Sequence, residues 1–397
     1  LGCASYQHKV DEARRGLKGQ PEAAVERLRL LAAETGRDQL VYTLDYATAL
    51  QIVGRYEESA KTFLQAERLA DEKDYHSISN VAGSLVLNEE MVQYKGDDFE
   101  KVLINGLNAL NFLKLGRLEE ALVETRRVNE KLYKLKMDGK KAFNQSPFAF
   151  YLGAMIWEAD RKFDDAYIAY AKTYEVAPHY GPLREDLIRS ALRAQRNEDA
   201  EKWKKQFPEI AVKPEWRKRD YGEVVLIFQQ GWGPRKEPRP ESPLFPRLRA
   251  VRNYVDSARM NVVRSEEVVA SSLTTKIYSV EEIATKALDD DFARLVGARV
   301  AGVATKAVVA EQVRQKDKAL GDLTWILLNL ADRADLRQWS TLPATFQVAR
   351  ARVPKGTYRV DIYELSGVLD EIGRIAKSED VEVKPSEKTF LVWRSIE

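Results

Sequence analysis

The sequence predicts an α+β chain: an N-terminal α-helical solenoid, then a β-sandwich-like domain with an inserted helical hairpin. Three observations predict it. Small residues recur through the first half at intervals that fit a unit of about 34 residues. Near Pro208 the composition changes, and β-branched and aromatic runs replace helical periodicity. Between about residues 280 and 332 a helical pattern interrupts those runs. The expected boundaries are 1–10 for an anchor and tether, 11–210 for the solenoid and 211–397 for the β-rich domain.

The chain opens Leu1-Gly2-Cys3-Ala4-Ser5, and Cys3 is its only cysteine. One cysteine excludes an intramolecular disulfide and a multi-cysteine metal site. An apolar and a small residue before it resemble the end of a bacterial lipoprotein signal. That resemblance implies a lipidated Cys3, with Ala4 to Val10 as a short polar tether. Ser5 and Tyr6 follow instead of Asp, which by the same resemblance points to the periplasmic face of the outer membrane.

Residues 40–71 read as two helices, with Ala47 small, Gly54 ending the first and Tyr56 opening the second. Ser59, Phe63 and Ala66 follow at helical spacing. Residues 102–130 repeat this with Ala109, Gly116, Leu118, Ala121 and Val128. Residues 147–178 do so with Gly153, Ala154, Phe163, Ala166, Tyr170 and Pro178. Weaker copies surround Ala24 and Ala200. This is the pattern of tetratricopeptide repeats, in which each helix pair must stack on the next to bury its apolar face. The small positions 24, 59, 121, 166 and 200 lie 35, 62, 45 and 34 residues apart. The long gaps predict an insertion near 73–100 and an extended helix through Lys131 to Lys141.

The first helices should form a groove. Its expected lining is Leu44, Thr48 and Gln51; Leu103, Leu110 and Leu113; and Phe148, Tyr151, Met155 and Glu158. It is apolar and aromatic. Grooves of this kind that clamp a C-terminal carboxylate use Lys, Asn and Arg, whereas Thr48, Leu110 and Met155 stand here. Two occupants fit equally: an apolar helix or strand of a partner, or the protein's own insertion or second domain.

Tyr94-Lys95-Gly96-Asp97-Asp98-Phe99-Glu100 and the run Ala121 to Asn129 resemble one recurring segment of a family of bacterial tetratricopeptide-repeat envelope lipoproteins. Asp335-Leu336-Arg337-Gln338-Trp339-Ser340-Thr341-Leu342-Pro343 resembles that family's second segment. The resemblance implies an envelope location but carries no established activity. The family's association with activators of cell-wall synthesis is a hint, not a mechanism. From the residues themselves, Tyr94, Glu100, Arg126 and Arg127 could form a structural knot, since Arg pairs with carboxylate in a fixed geometry.

Glu223 to Gln229 is a buried-strand run. Gly231 to Pro246 reads as a loop. Further strands are expected at Arg259 to Val263, Val268 to Tyr278, Thr345 to Val353, Tyr358 to Leu365, Ile372 to Ala376, Val381 to Lys384 and Thr389 to Ser395. Ser279 can cap the inserted helix, with Glu281 and Glu282 in its first turn. Gly297, Ala298, Ala301, Gly302, Ala304 and Ala307 would let a helix at Leu320 to Leu330 pack closely; the alternatives are a surface that inserts into a membrane or one that mediates oligomerisation.

Lys and Arg number 63 against 61 Asp and Glu, a net charge of +2, so no global field attracts nucleic acid. His8, His76 and His179 are scattered, and no catalytic fingerprint is present. No catalytic residue, metal or cofactor is expected. The expected function is a lipid-anchored scaffold or adaptor binding an envelope protein through the groove. The alternatives are a regulator of a cell-wall synthesis enzyme and an oligomeric subunit of an envelope assembly.

Overall fold

A computed structural model describes residues 3–78, 93–137, 145–216, 218–290, 334–367 and 370–396, with scattered positions between 291 and 333. Among the described residues of the first half, ten helices pair as five hairpins: α1 (Cys3–Gly19) with α2 (Pro21–Ala33), α3 (Gln39–Ile52) with α4 (Tyr56–Ile78), α5 (Asp98–Lys114) with α6 (Leu118–Met137), α7 (Pro147–Ala159) with α8 (Phe163–Val176), and α9 (Pro182–Arg193) with α10 (Asn197–Gln206). Each helix packs on the next, so the array is a continuous stack. The repeat positions do what their size requires. Ala47, Ala121, Ala166 and Ala200 are all fully buried between helices.

The four later hairpins turn in one way. Gly54, Gly116, Arg161 and Gln195 take positive φ at equivalent positions. The next amide, on Arg55, Arg117, Lys162 or Arg196, donates back to the carbonyl five residues earlier at 2.8–3.0 Å. This closes the first helix of each pair. Three of those side chains then reach the first turn of the preceding second helix: Arg55 to Glu22, Arg117 to Glu57 and Arg196 to Asp164. These exposed pairs form a ladder that keeps successive hairpins in register, each contributing a few tenths of a kcal/mol.

The β domain has two four-stranded sheets. One runs β10–β1–β7–β6, from β10 (Lys388–Arg394), β1 (Tyr221–Gln230), β7 (Thr345–Pro354) and β6 (Thr275–Ser279). The other runs β5–β4–β8–β9, from β5 (Glu267–Leu273), β4 (Ser257–Arg264), β8 (Gly356–Ser366) and β9 (Asp370–Val383). β10 lies parallel to β1 and the remaining pairs are antiparallel. The chain changes sheet at Thr274. Its hydroxyl accepts from the Ala258 N–H and donates to Gln347, fastening the corner.

β1 explains the layering. Val224, Leu226 and Phe228 face the second sheet, while Val225 and Ile227 belong to the core shared with the helices. Alternate side chains point to opposite faces, so a strand buried on both must be apolar throughout. The molecule is therefore three layers: helices, sheet, sheet. Within the expected loop at 231–246 a hairpin begins, pairing β2 (Arg235–Pro238) with β3 (Pro246–Arg249). Pro at both ends hid it from a strand reading. The two strands expected near 372 and 381 are one, β9, bent by irregular register against β8.

The expected tether at Ala4 to Val10 is instead part of α1, because Tyr6 and Val10 are buried in the common core. α11, at 280–290, begins the inserted helix, and Ser279 Oγ accepts the Glu282 N–H as expected. The band from Gly297 to Ala307 and its expected partner Leu320 to Leu330 lie almost wholly outside the described residues, as do residues 79–92 of the insertion expected at 73–100. α6 is described to Met137, and the expected extension to Lys141 lies beyond that. No described helix is long and apolar enough to cross a membrane.

Candidate functional site: the groove of the first helices

Asp45, Thr48 and Gln51 are three and six residues apart on α3, and therefore share a face. That face meets the extended segment 335–342. Asp45 Oδ1 accepts the backbone N–H and the hydroxyl of Thr341, both at 2.9 Å. Thr48 Oγ1 accepts the Trp339 indole N–H at 2.9 Å. Gln51 meets Gln229 of β1 at 3.2 Å and bonds to Leu107 and Asn111 of α5. Trp339 is almost fully buried, with its ring 5.8 Å from that of Phe63. Its backbone N–H donates to Glu100 of α5 at 2.9 Å. Tyr6 of α1 closes the segment's other side by donating to the Gln338 carbonyl at 2.6 Å.

Farther along, α7 meets the sheet. Phe148 stacks on Phe346 at 4.2 Å. Tyr151 accepts from Arg350 at 3.0 Å, and Glu158 pairs with Lys388 at 3.0 Å. Lys114, at the end of α5, reaches Glu379 of β9 at 2.9 Å. Leu44, Leu103, Leu110, Leu113 and Met155 are buried in the same core. All ten expected groove residues are buried, and five of them, Thr48, Gln51, Phe148, Tyr151 and Glu158, contact the second domain directly. The expectation of a groove open to a partner is corrected to its alternative, a groove filled by the protein's own second domain.

The expected knot divides in two. Tyr94 donates to Glu100, and Glu100 reaches back to the Asp97 N–H at 3.0 Å, the return half of a capping box. Lys236 pairs with Asp97 at 3.1 Å. Arg127 instead pairs with Glu67 of α4, and Arg126 lies over the Trp157 ring. The helical period turns those two arginines away from Glu100. Burial pushes the Glu100 carboxyl up to about 7, and nearby Asp97 adds to it. Burial likewise raises Asp45 to about 7, against the hydrogen bonds from Thr341.

Sequence reading missed the charge cluster between α7, α9, β1, β7 and β10. Glu158, Asp186 and Glu223 are buried there with Arg189, Arg350 and Lys388. Arg350 joins Asp186 to Glu223, and Lys388 joins Glu223 to Glu158. Burial opposes ionisation of Glu158, but Arg189 and Lys388 hold it well below the usual carboxylate range. Arg350 and Lys388 do the same for Glu223. Alternation along Arg350-Ala351-Arg352 could have signalled cations facing the helices.

Beside the cluster is a cavity of about 330 Å³. Tyr151, Tyr180, Asp186, Arg350 and Arg352 line it, with Lys213 on its exposed rim. Among the described residues no group of three His, Cys, Asp or Glu could hold a metal ion.

No protein-family model matches the chain, and no curated protein matches it. Among solved structures it is similar to MamA. An ArsTM double mutant of MamA RS-1 gives a TM-score of 0.35 at 17% identity, covering 53% of this chain and 94% of that one. MamA 41-end from Desulfovibrio magneticus RS-1 gives 0.34 at 16%, covering 53% and 93%. A kinesin light chain of Podosopora anserina with nearly identical TPR-like repeats gives 0.36 at 15%, covering 52% and 94%. The tetratricopeptide-like character of the first half rests on its own hairpins.

Proposed function

We propose that the chain is a non-enzymatic, lipid-anchored scaffold of the bacterial envelope. In this reading partners dock on the second helices of the hairpins, not in the groove. One observation carries the choice of surface. Every large apolar side chain exposed on the described helices lies on a second helix: Leu30 on α2, Val123, Tyr133 and Met137 on α6, and Ile168 on α8. The first helices keep no such residue free, because the β domain covers them. Exposed apolar side chains on one face of a stacked array are what a protein partner would cover.

The anchor in this proposal is Cys3. It stands three residues before buried Tyr6, a rise of roughly 4.5 Å along a helix. A lipid there would hold the body close to the bilayer, with no slack between them.

Photo-crosslinkers in cells test the docking surface. Placed at Leu30, Val123 or Ile168, they should trap another protein. Placed at Thr48, Leu110 or Met155, they should join only peptides of the same chain. Trapping of another protein from the groove sites alone would reverse the proposal. Fatty-acid labelling of a precursor that supplies the signal tests the anchor: label should be present with Cys3 and lost in Cys3→Ser.

A further inference from the structure

The cavity between α9 and β7 holds an arginine with no carboxylate of its own. Arg350 and Arg352 are two residues apart on β7 and so share the face toward the helices. Arg350 is tied to Asp186 and Glu223. Arg352 is different. Burial lowers its pKa, its Nε is buried without a hydrogen-bond partner, and no ion pair engages it among the described residues. A guanidinium that has lost water on one edge is stabilised only if an acceptor replaces that water.

Tyr180 provides a second donor. It is 5% exposed and lines the same cavity, and its hydroxyl, beside that of Tyr151, donates to no acceptor. The neighbouring Tyr151 hydroxyl is already committed, donating to Asp186 at 2.7 Å and accepting from Arg350 at 3.0 Å.

The walls of the cavity balance in charge, Arg189, Lys213, Arg350 and Arg352 against Glu185, Asp186, Glu215 and Glu223, and among the described residues the ion pairs engage all of these except Arg352 and Glu215. At the rim, Lys213 is paired with Glu185 at 2.6 Å and adds nothing to the balance.

We propose that this cavity is a binding site for a small carboxylate, seated on Arg352 Nε and the Tyr180 hydroxyl. The volume of about 330 Å³ fits a molecule of amino-acid or dipeptide size, or the last residues of a peptide. Asp186, Glu223, Glu185 and Glu215 in the same walls select against a dianion such as phosphate, because like charges at close range repel. The shared chemistry is a single carboxylate, whether from a free small molecule or a chain terminus. This site is separate from the second-helix surface and stands whether or not that surface binds a partner.

The test uses the whole chain, with calorimetry at pH 7 and the Arg352 Nε–H signal in ¹⁵N-edited NMR. The probes are alanyl-alanine, N-acetyl-alanyl-alanine and inorganic phosphate. Alanyl-alanine should bind and shift the Arg352 signal. Arg352→Ala and Tyr180→Phe should each weaken it, the first by about tenfold or more, the scale of a charge-assisted hydrogen bond. Arg352→Lys keeps the charge, guards against loss of fold, and should retain part of the affinity. Equal binding of the acetylated probe assigns the site to a chain terminus, and its exclusion assigns the site to a free amino acid or dipeptide. Tighter binding of phosphate than of either peptide overturns the proposal. So does the absence of any shift at Arg352 with a folded protein at millimolar probe.

Discussion

Trp339 donates its indole N–H to Thr48 at 2.9 Å, across 291 positions of sequence. This bond, together with the Asp45–Thr341 pair, seats an extended segment of the second domain in the groove of the first. The groove is thereby part of the core.

Trp339→Ala should destabilise the whole chain by about 3–5 kcal/mol, the range for emptying a large aromatic site. Trp339→Phe keeps much of the packing but loses the indole bond. Thr48 still donates to the Leu44 carbonyl at 3.0 Å, so it keeps one partner. That variant should cost about 1–2 kcal/mol, mostly for lost volume and one hydrogen bond. Urea unfolding followed by circular dichroism measures both. A change below about 1 kcal/mol in Trp339→Ala would mean the segment is not seated there.

Periodicity made the helices legible, because small residues at 47, 121, 166 and 200 have to face a neighbouring helix. It also placed Thr48, Phe148 and Tyr151 on one surface. It could not show what covers that surface, because Trp339, Phe346 and Arg350 reach it only through the topology of the sheet. The same limit hid the Glu158 cluster, whose members come from five elements. Arg126 and Arg127 were misplaced because adjacency in sequence sends neighbouring helix side chains to different faces.

Glu158 is the centre of a buried charge cluster shared by both domains. Glu158→Gln leaves Arg189 and Lys388 without their main counter-charge, which should cost about 3–5 kcal/mol. The double variant Glu158→Gln with Lys388→Met removes one of those orphaned cations and should recover part of the loss. A double-mutant cycle in urea measures the coupling. Strict additivity would place the two side chains in independent sites.

The turn motif gives a prediction of opposite sign. Arg161 and Gln195 hold the left-handed conformation that Gly54 and Gly116 hold in the sister hairpins. A Cβ is strained there by about 1 kcal/mol. Arg161→Gly and Gln195→Gly should therefore stabilise by roughly 0.5–1 kcal/mol despite the greater freedom of glycine in the unfolded chain. Gly54→Ala should destabilise by a similar amount. Thermal melts of the three variants decide the matter, and a lower melting temperature for both glycine variants would reject the shared motif.

Two sets of buried carboxylates give stability opposite dependences on pH. Asp45 and Glu100 have folded values raised to about 7 from 3.8 and 4.5. The folded state then binds more protons than the unfolded chain between those limits. Their stabilising contribution is complete below about pH 4 and is lost as pH rises through 7. Glu158 and Glu223 are held below their ordinary 4.5, so their contribution is present above that pH and is lost as the solution becomes more acid. Stability should therefore peak near pH 4–5, where the folded and unfolded chains bind equal numbers of protons on these four groups. It should fall by on the order of 2 kcal/mol between pH 6 and pH 8, since a tenfold difference in proton affinity between folded and unfolded chain is worth about 1.4 kcal/mol. Asp45→Asn separates the two arms. The asparagine oxygen can still accept from Thr341, no charge is buried at high pH, and the alkaline decline should flatten while the acid decline stays. Urea midpoints at pH 4, 6 and 8 measure this. An alkaline decline of the same size in Asp45→Asn and Glu100→Gln would mean that neither carboxylate causes it.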